Sequence, residues 1–254
     1  MGELVRLDIV DDVATITLDS QHNRNALSKQ LVAELGDALA DSSAGSVRAI
    51  VLGHEGPAFC AGADLKERSS DGGAPDSRPF VAILEQLMDS PVPTIAAVDG
   101  AVRAGGIGLM ASCDLVVVHS SVNFALTEVR IGVAPAIISV PILRRVPPGK
   151  IAAAMLTGEA FDATEARAIG LVTHVTDHVE QTVAALCDGI RAGAPRAVAE
   201  TKRMLGRVPT LGRSNAFAEM SALSEAMFSG PDAAEGMLAF REKRRPVWPA
   251  TPSP

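Results

Sequence analysis

Short apolar runs alternate with helical stretches along the first 145 or so residues, and this alternation restricts the possible folds more than any other property of the chain. Val5 to Val10 and Val13 to Leu18 are β-type runs separated only by Asp11-Asp12, which predicts an opening hairpin. Ser28 precedes a segment in which Leu31, Leu35, Ala38 and Leu39 recur at helical spacing, and Val47 to Leu52 returns to an extended apolar run. A helix bearing Phe80, Ile83, Leu84 and Leu87 follows. Then come a Pro91-Val-Pro93 break, a strand at Thr94 to Val98, a glycine-rich turn and a strand at Leu115 to His119. Parallel strands need long crossovers between them, and helices are the usual ones. The series therefore predicts an α/β fold with a mainly parallel sheet.

Past residue 145 helices dominate. The one extended stretch expected there, Leu171 to Val175, follows an Asp162-Ala-Thr-Glu165 capping box and a helix stop at Gly170. Segments 178–192, 196–206, 212–228 and 232–244 carry amphipathic patterns, with Pro195, Pro209 and Pro231 as breaks. They read as a helical layer rather than an independent domain. Ser69 to Ser77, rich in small and polar residues, reads as a mobile loop, and Pro249 to Pro254 as a poorly ordered tail.

Composition narrows the function classes. With 47% hydrophobic residues in 254, the chain can bury a substantial core. Its 23 Lys and Arg stand against 30 Asp and Glu, a net charge of -7 that gives no broad electrostatic reason to expect nucleic acid or an anionic membrane as partner. No run approaches the roughly 20 apolar residues of a bilayer span. The start Met-Gly-Glu-Leu-Val-Arg6 lacks a signal-peptide layout, so the cytoplasm is the expected compartment. Cys60, Cys113 and Cys187 show no metal or disulfide spacing and read as buried thiols; His22, His54, His119, His174 and His178 are scattered, and no metal site is expected. Ser112 and Ser121 lack a GxSxG elbow, no GxxxxGK[ST] occurs, and Gly105-Gly-Ile-Gly108 lacks dinucleotide-loop spacing.

Two glycine-bearing stretches remain, Phe59-Cys-Ala-Gly-Ala-Asp-Leu-Lys66 and Gly100-Ala-Val-Arg-Ala-Gly-Gly-Ile-Gly108. Each follows an apolar run and leads into a helix start. Backbone N–H groups at such places have no helical acceptor and sit at the positive end of the helix dipole, so they stabilise negative charge. Two converging turns could make an oxyanion hole, although either stretch alone reads more readily as an ordinary tight connection than as a ligand site.

The first stretch is very similar to the first oxyanion motif of the crotonase (enoyl-CoA hydratase/isomerase) family. Val98-Asp-Gly-Ala-Val-Arg-Ala-Gly-Gly-Ile-Gly-Leu109, followed by Cys113-Asp114, resembles the second. Further likeness lies in Asn23-Arg-Asn-Ala-Leu27, Glu128-Val-Arg-Ile-Gly-Val-Ala-Pro135, the stretch from Leu156-Thr-Gly-Glu159 to Ala168-Ile-Gly-Leu-Val172, and Glu235-Gly-Met-Leu-Ala-Phe-Arg-Glu-Lys243. It thus spans nearly the whole chain. The resemblance implies a spiral of ββα units over residues 1–195 that carries the site, and a C-terminal helical region over 196–254 involved in assembly as a homotrimer or dimer of trimers. It also implies an acyl-CoA thioester substrate, with CoA part of that substrate and no separate cofactor. The backbone N–H groups of Ala63 and Gly105 would hold the thioester oxygen, and losing one such donor typically costs about 2.7–4 kcal/mol of transition-state stabilisation. Arg24, Ala26, Ala61, Asp64, Leu65 and Lys66 would line the CoA path, with Lys243 reaching it from the C-terminal region.

The acid and base are only half present in the pattern. Hydratases of this family usually place two glutamates about the substrate double bond, and the first falls at Gly108 here; the second aligns with Glu128 in Phe124-Ala-Leu-Thr-Glu-Val-Arg130, at the end of an expected short strand. Glu128 is thus the expected acid/base, with pairing to Arg130 as its structural alternative. Arg103, where the family more often has an apolar residue, would bind a carboxylate on a branched glutaconyl-type acyl group, or is a solvated or Asp-paired arginine. Asp64 suits an N-cap better than a catalyst. Three readings follow: an enoyl-CoA hydratase, a Δ3,Δ2-enoyl-CoA isomerase using Glu128 alone, and a non-catalytic acyl-CoA binder.

Overall fold

The structure, a computed structural model, describes residues 2–42, 45–70 and 76–248, and the side chains of all of these but 68–70. Strands β1 (Val5–Val10) and β2 (Val13–Leu18) form the predicted hairpin. Asp11 and Asp12 both have positive φ, 49° and 61°, as a two-residue type I′ turn requires. Along β2, Ala14, Ile16 and Leu18 are buried while the residues between them are half-buried, the period of a strand with one face on the core. Helix α1 (Lys29–Ser42) starts where Ser28 Oγ accepts the Leu31 N–H at 3.2 Å, and it buries Leu31, Leu35, Ala38 and Leu39.

Three consecutive segments then repeat one plan. Strand β3 (Ala49–His54) is followed by β4 (Ala58–Cys60) and helices α2 (Leu65–Ser70) and α3 (Arg78–Asp89). Strand β5 (Thr94–Val98) is followed by β6 (Ala101–Arg103) and α4 (Gly105–Ala111). Strand β7 (Leu115–His119) is followed by β8 (Asn123–Ala125), a 3-10 turn at Thr127–Ile131, α5 (Ala136–Arg145) and α6 (Pro148–Thr157). Each repeat sends its first strand to one sheet and its second to another, which is the expected ββα spiral. β3 begins two residues into the expected apolar run because its parallel register with β2 starts at Val13 opposite Ala49.

The chain continues through β9 (Ala160–Asp162), α7 (Ala163–Ile169), β10 (His174–Thr176), α8 (Val179–Ala192), α9 (Pro195–Arg207), α10 (Arg213–Phe228) and α11 (Pro231–Glu242). The large sheet runs β1-β2-β3-β5-β7-β10 and the small one β4-β6-β8-β9. Among the described residues only the β1/β2 and β8/β9 pairs are antiparallel. The main core fills the space enclosed by the spiral, and a smaller cluster of Ala49, Val51, Ile95, Val117, Val183 and Cys187 seals α8 onto the outer face of the large sheet.

The C-terminal half differs from expectation at a few points. Strand β9 was not expected. The stretch from Leu171 starts as the end of α7, with Leu171 and Val172 N–H groups both on the Ala166 carbonyl and both side chains buried, and it becomes strand only at His174. The Asp162 cap and the Gly170 stop stand where predicted: Asp162 Oδ1 accepts the Glu165 N–H at 2.8 Å and Gly170 has φ 90°. Pro195 and Pro231 begin helices rather than break them, at the first position where a missing N–H costs nothing. Of the expected mobile loop, residues 71–75 lie outside the described residues, as does the tail from 249; Ser69 and Ser70 end α2.

Candidate active site

The small sheet builds the site. β4, β6 and β8 are parallel neighbours, with Cys60 opposite Val102 and Arg103 opposite Ala125, so the chain leaves all three strands at one end. Leaving β4 it runs through Ala61–Asp64, leaving β6 through Ala104–Gly105, and leaving β8 through Leu126–Glu128. Carboxyl ends of adjacent parallel strands are where α/β folds hold ligands. Three segments distant in sequence thereby leave the sheet along one edge.

The first turn is braced by the Asn23–Leu27 loop. Arg24 and Asn25 both have positive φ, 58° and 54°, a conformation asparagine tolerates better than most residues. The fully buried Asn25 side chain accepts the Ser20 N–H at 2.6 Å and donates to the carbonyls of Glu55 (3.1 Å) and Ala58 (2.9 Å). The loop is then in place for the Arg24 carbonyl to accept the Ala61 N–H at 3.0 Å and for the Leu27 N–H to donate to the Gly62 carbonyl at 2.7 Å. Cys60 Sγ accepts the Gly62 N–H at 3.4 Å. Among the described residues the Ala63 N–H has no acceptor.

The second turn carries the backbone's sharpest departure from ordinary geometry. Ala104 has φ 47° and ψ -118°, a region that favours glycine, and its N–H donates to the Ala125 carbonyl at 3.0 Å. This conformation leads the chain into α4 with Gly105 as its first residue, and the Gly105 N–H is likewise without an acceptor among the described residues. The turns touch: a Cβ on Gly62, whose φ is 89°, would lie 2.9 Å from the Ala104 methyl and 3.6 Å from the Gly105 nitrogen. A Cβ on Gly106 would lie 2.7 Å from that of Cys60. The motif glycines are therefore needed for close approach as well as for φ.

Glu128 lies in the first turn of the 3-10 segment after β8, and its own carbonyl accepts the Val133 N–H at 3.1 Å. It is half-buried, and Oε2 is buried without a hydrogen-bond partner. Burial raises its pKa, against a smaller lowering by its own backbone N–H. The alternative of pairing with Arg130 is not what the structure shows. Arg130 binds Glu159 at 2.5 Å and the Thr157 carbonyl at 3.0 Å.

Position 108 is closed by packing. A Cβ there would lie 2.3 Å from Ile138 Cγ2 and 2.6 Å from Ile138 Cβ.

The other expected site residues are placed as follows. Ala26 is buried and Arg24 exposed in the bracing loop; Ala61 is half-buried; Leu65 and Lys66 are exposed at the start of α2. Asp64 is the N-cap of that helix, with Oδ1 accepting the N–H groups of Lys66 (3.1 Å) and Glu67 (3.2 Å) and Oδ2 accepting Asn23 Nδ2 at 3.1 Å. Burial raises the Asp64 pKa, but those hydrogen bonds outweigh it and the net shift is downward. Arg103 is half-buried and pairs with Asn123 rather than with an aspartate. Its Nη1 donates to the carbonyls of Val102 (2.9 Å) and Asn123 (2.8 Å) and its Nη2 to Asn123 Oδ1, while burial lowers its pKa. Lys243 ends α11, whose ties run to α10 and, through the Trp248 indole N–H on the Ala192 carbonyl at 2.8 Å, to the end of α8.

Burial pushes the Cys60 and Cys113 thiols up to about 12, so neither supplies a thiolate. Among the described residues no cluster of His, Cys, Asp or Glu is placed to hold a metal ion. A cavity of about 430 Å³ lies on the far face of the large sheet, beside α8, and shares no residue with these turns. Asn25, Ala104 and Ile138 were given no individual role from the sequence, and Cys60 was read only as a buried thiol. Asparagine's tolerance of positive φ was a usable signal for the first; the other three are fixed by contacts between distant segments.

The model of the enoyl-CoA hydratase/isomerase family matches residues 8–251. The mouse mitochondrial methylglutaconyl-CoA hydratase is 32% identical over 92% of this chain and 78% of its own length. The Escherichia coli methylmalonyl-CoA decarboxylase is 30% identical over 96% and 97%. A crystal structure of an enoyl-CoA hydratase from Mycobacterium smegmatis superposes with a TM-score of 0.90 at 32% identity, covering 97% of this chain and 99% of that one. With both acceptor-free turns in place and a family match over nearly its whole length, the chain belongs to the enoyl-CoA hydratase/isomerase (crotonase) family.

Proposed function

We propose that the chain hydrates a 2-enoyl-CoA thioester, with the N–H groups of Ala63 and Gly105 on the thioester oxygen and Glu128 as acid and base. The observation that carries this reading is that two acceptor-free amides and one half-buried carboxylate with an unpartnered oxygen all follow the same end of the parallel strands β4, β6 and β8. Ionised Glu128 takes a proton from water as its oxygen bonds to the β-carbon. The double-bond electrons move to the α-carbon and thioester oxygen, where the amides stabilise the enolate. Glu128 then returns the same proton to the α-carbon, so one water is added and the carboxylate is regenerated. The raised pKa of Glu128 suits a group that both takes and gives a proton near neutrality.

An isomerase acting on 3-enoyl-CoA is the second reading. Gly108 favours it, because shifting one proton between carbons needs one carboxylate. A glutaconyl-type acyl group is suggested by the mouse relative, while the Arg103 guanidinium is engaged by Asn123 and the Val102 carbonyl. Lys243 would complete the CoA site from a neighbouring copy. The test is turnover of crotonyl-CoA and of 3-hexenoyl-CoA by the purified chain. A hydratase consumes the first; conversion of only the second selects the isomerase, and binding of both with turnover of neither selects a binder.

A further inference from the structure

Gly108 stands one helical turn after Gly105, and positions i and i+3 share a helix face with side chains leaning toward the helix N-terminus. A side chain at 108 would therefore lean toward the thioester-binding amide. That place is taken. Ile138, 4% exposed, puts Cγ2 at 2.3 Å, Cβ at 2.6 Å and its backbone Cα at 3.2 Å from where a Cβ on Gly108 would be. Contacts this short with a β-branched side chain and its backbone are not relieved by a rotamer change. Helix α5 is also fixed from its other end, where the half-buried Arg145 guanidinium donates to the carbonyls of Ala111 (3.3 Å), Asp114 (3.4 Å) and Cys113, at the far end of α4. The two helices are thus held together at position 108 and again at the end of α4.

We propose that Ile138 is a reaction-determining residue: by filling the place beside Gly108 it bars a second carboxylate from the site and leaves every proton transfer to Glu128. This rests on the assignment of Glu128 as acid and base. The missing glutamate is then a consequence of how α5 packs, and Glu at 108 alone does not restore it. A one-carboxylate hydratase needs only an ionised Glu128 in the free enzyme, so kcat/KM rises with pH through one ionisation and then levels. A site with two carboxylates, one ionised and one protonated, gives a bell.

Four proteins test this: wild type, Gly108→Glu, Ile138→Ala and the double variant, each measured for thermal midpoint and for the pH profile of kcat/KM on the ester the wild type turns over. Gly108→Glu alone is expected to melt well below wild type. Ile138→Ala keeps the one-limbed profile. The double variant recovers a large part of the lost midpoint and gains a basic limb. Gly108→Ala with and without Ile138→Ala repeats the thermal comparison with a smaller side chain, should the glutamate variants fail to fold. The proposal is overturned if Gly108→Glu melts with wild type, if Ile138→Ala gives Gly108 variants no thermal recovery, or if a folded double variant keeps a single limb. Failure of the underlying assignment shows separately, as a Glu128→Gln chain with wild-type turnover.

Discussion

Glu128 illustrates how a single side chain couples stability to activity. Burial raises its pKa, so the folded chain holds the proton more tightly than the unfolded chain does. Between the unfolded pKa and the raised folded one the native state binds more protons, and stability falls as pH rises through that window. The loss persists at neutral pH. Glu128→Gln removes the buried charge while keeping the shape, so near neutrality the variant is expected to melt at or above the wild-type temperature. In acid, where both states are protonated, the gap closes. Thermal unfolding across this pH range measures it; a variant less stable than wild type at neutral pH would mean that the carboxylate has a stabilising partner in the folded protein.

At the scale of elements, the site depends on bracing as much as on its own glycines. Asn25 is the side chain that holds the loop behind β4. Asn25→Ala would leave the Ser20 N–H and two carbonyls unpaired, at about 1–3 kcal/mol for each group that water cannot reach, and would put alanine at φ 54°. Urea unfolding is expected to show a loss of several kcal/mol, with kcat/KM falling as the Ala61–Ala63 turn loosens; a change near zero would remove Asn25 from this role. The long elements were legible in the sequence because each repeats its period several times: the hairpin, α1, α3, β5, β7 and α8 to α11 stand within a few residues of their predicted limits. β4, β6 and β9 were not, and β8 was legible only as a short strand leading to Glu128. Three residues cannot display a period, and these strands exist only because they pair with one another. The glycine turns were legible as motifs, but the strain at Ala104 and the closure of Gly108 by Ile138 depend on neighbours that no local pattern announces.

At the scale of the molecule, the C-terminal helices are held on the core at few points. Lys202 of α9 is the clearest, with Nζ 2.8 Å from Asp114 Oδ2 and donating to the carbonyls of Leu87 (3.0 Å) and Val92 (3.2 Å). Beyond it, α10 buries no residue, and Leu205, Phe217, Phe228 and Phe240 are 72%, 69%, 69% and 87% exposed. Single exposed apolar residues are ordinary, but a set this size along successive helices marks an interaction surface. Our proposal that 196–254 serves assembly assigns that surface to further copies of this chain. Light scattering on the eluting protein is expected to give three or six times the 26.3 kDa chain mass, and a stable monomer would contradict it.

The central claim is that two backbone amides and one carboxylate at the ends of β4, β6 and β8 perform the reaction. Its most direct test is the rate of crotonyl-CoA hydration by wild type and Glu128→Gln, measured beside calorimetric affinity for the same ester. The account predicts that wild type hydrates the ester, and that the variant binds it with affinity near wild type but loses turnover by 100-fold or more, on the order of what general acid–base catalysis contributes. A variant that hydrates crotonyl-CoA at the wild-type rate would contradict it.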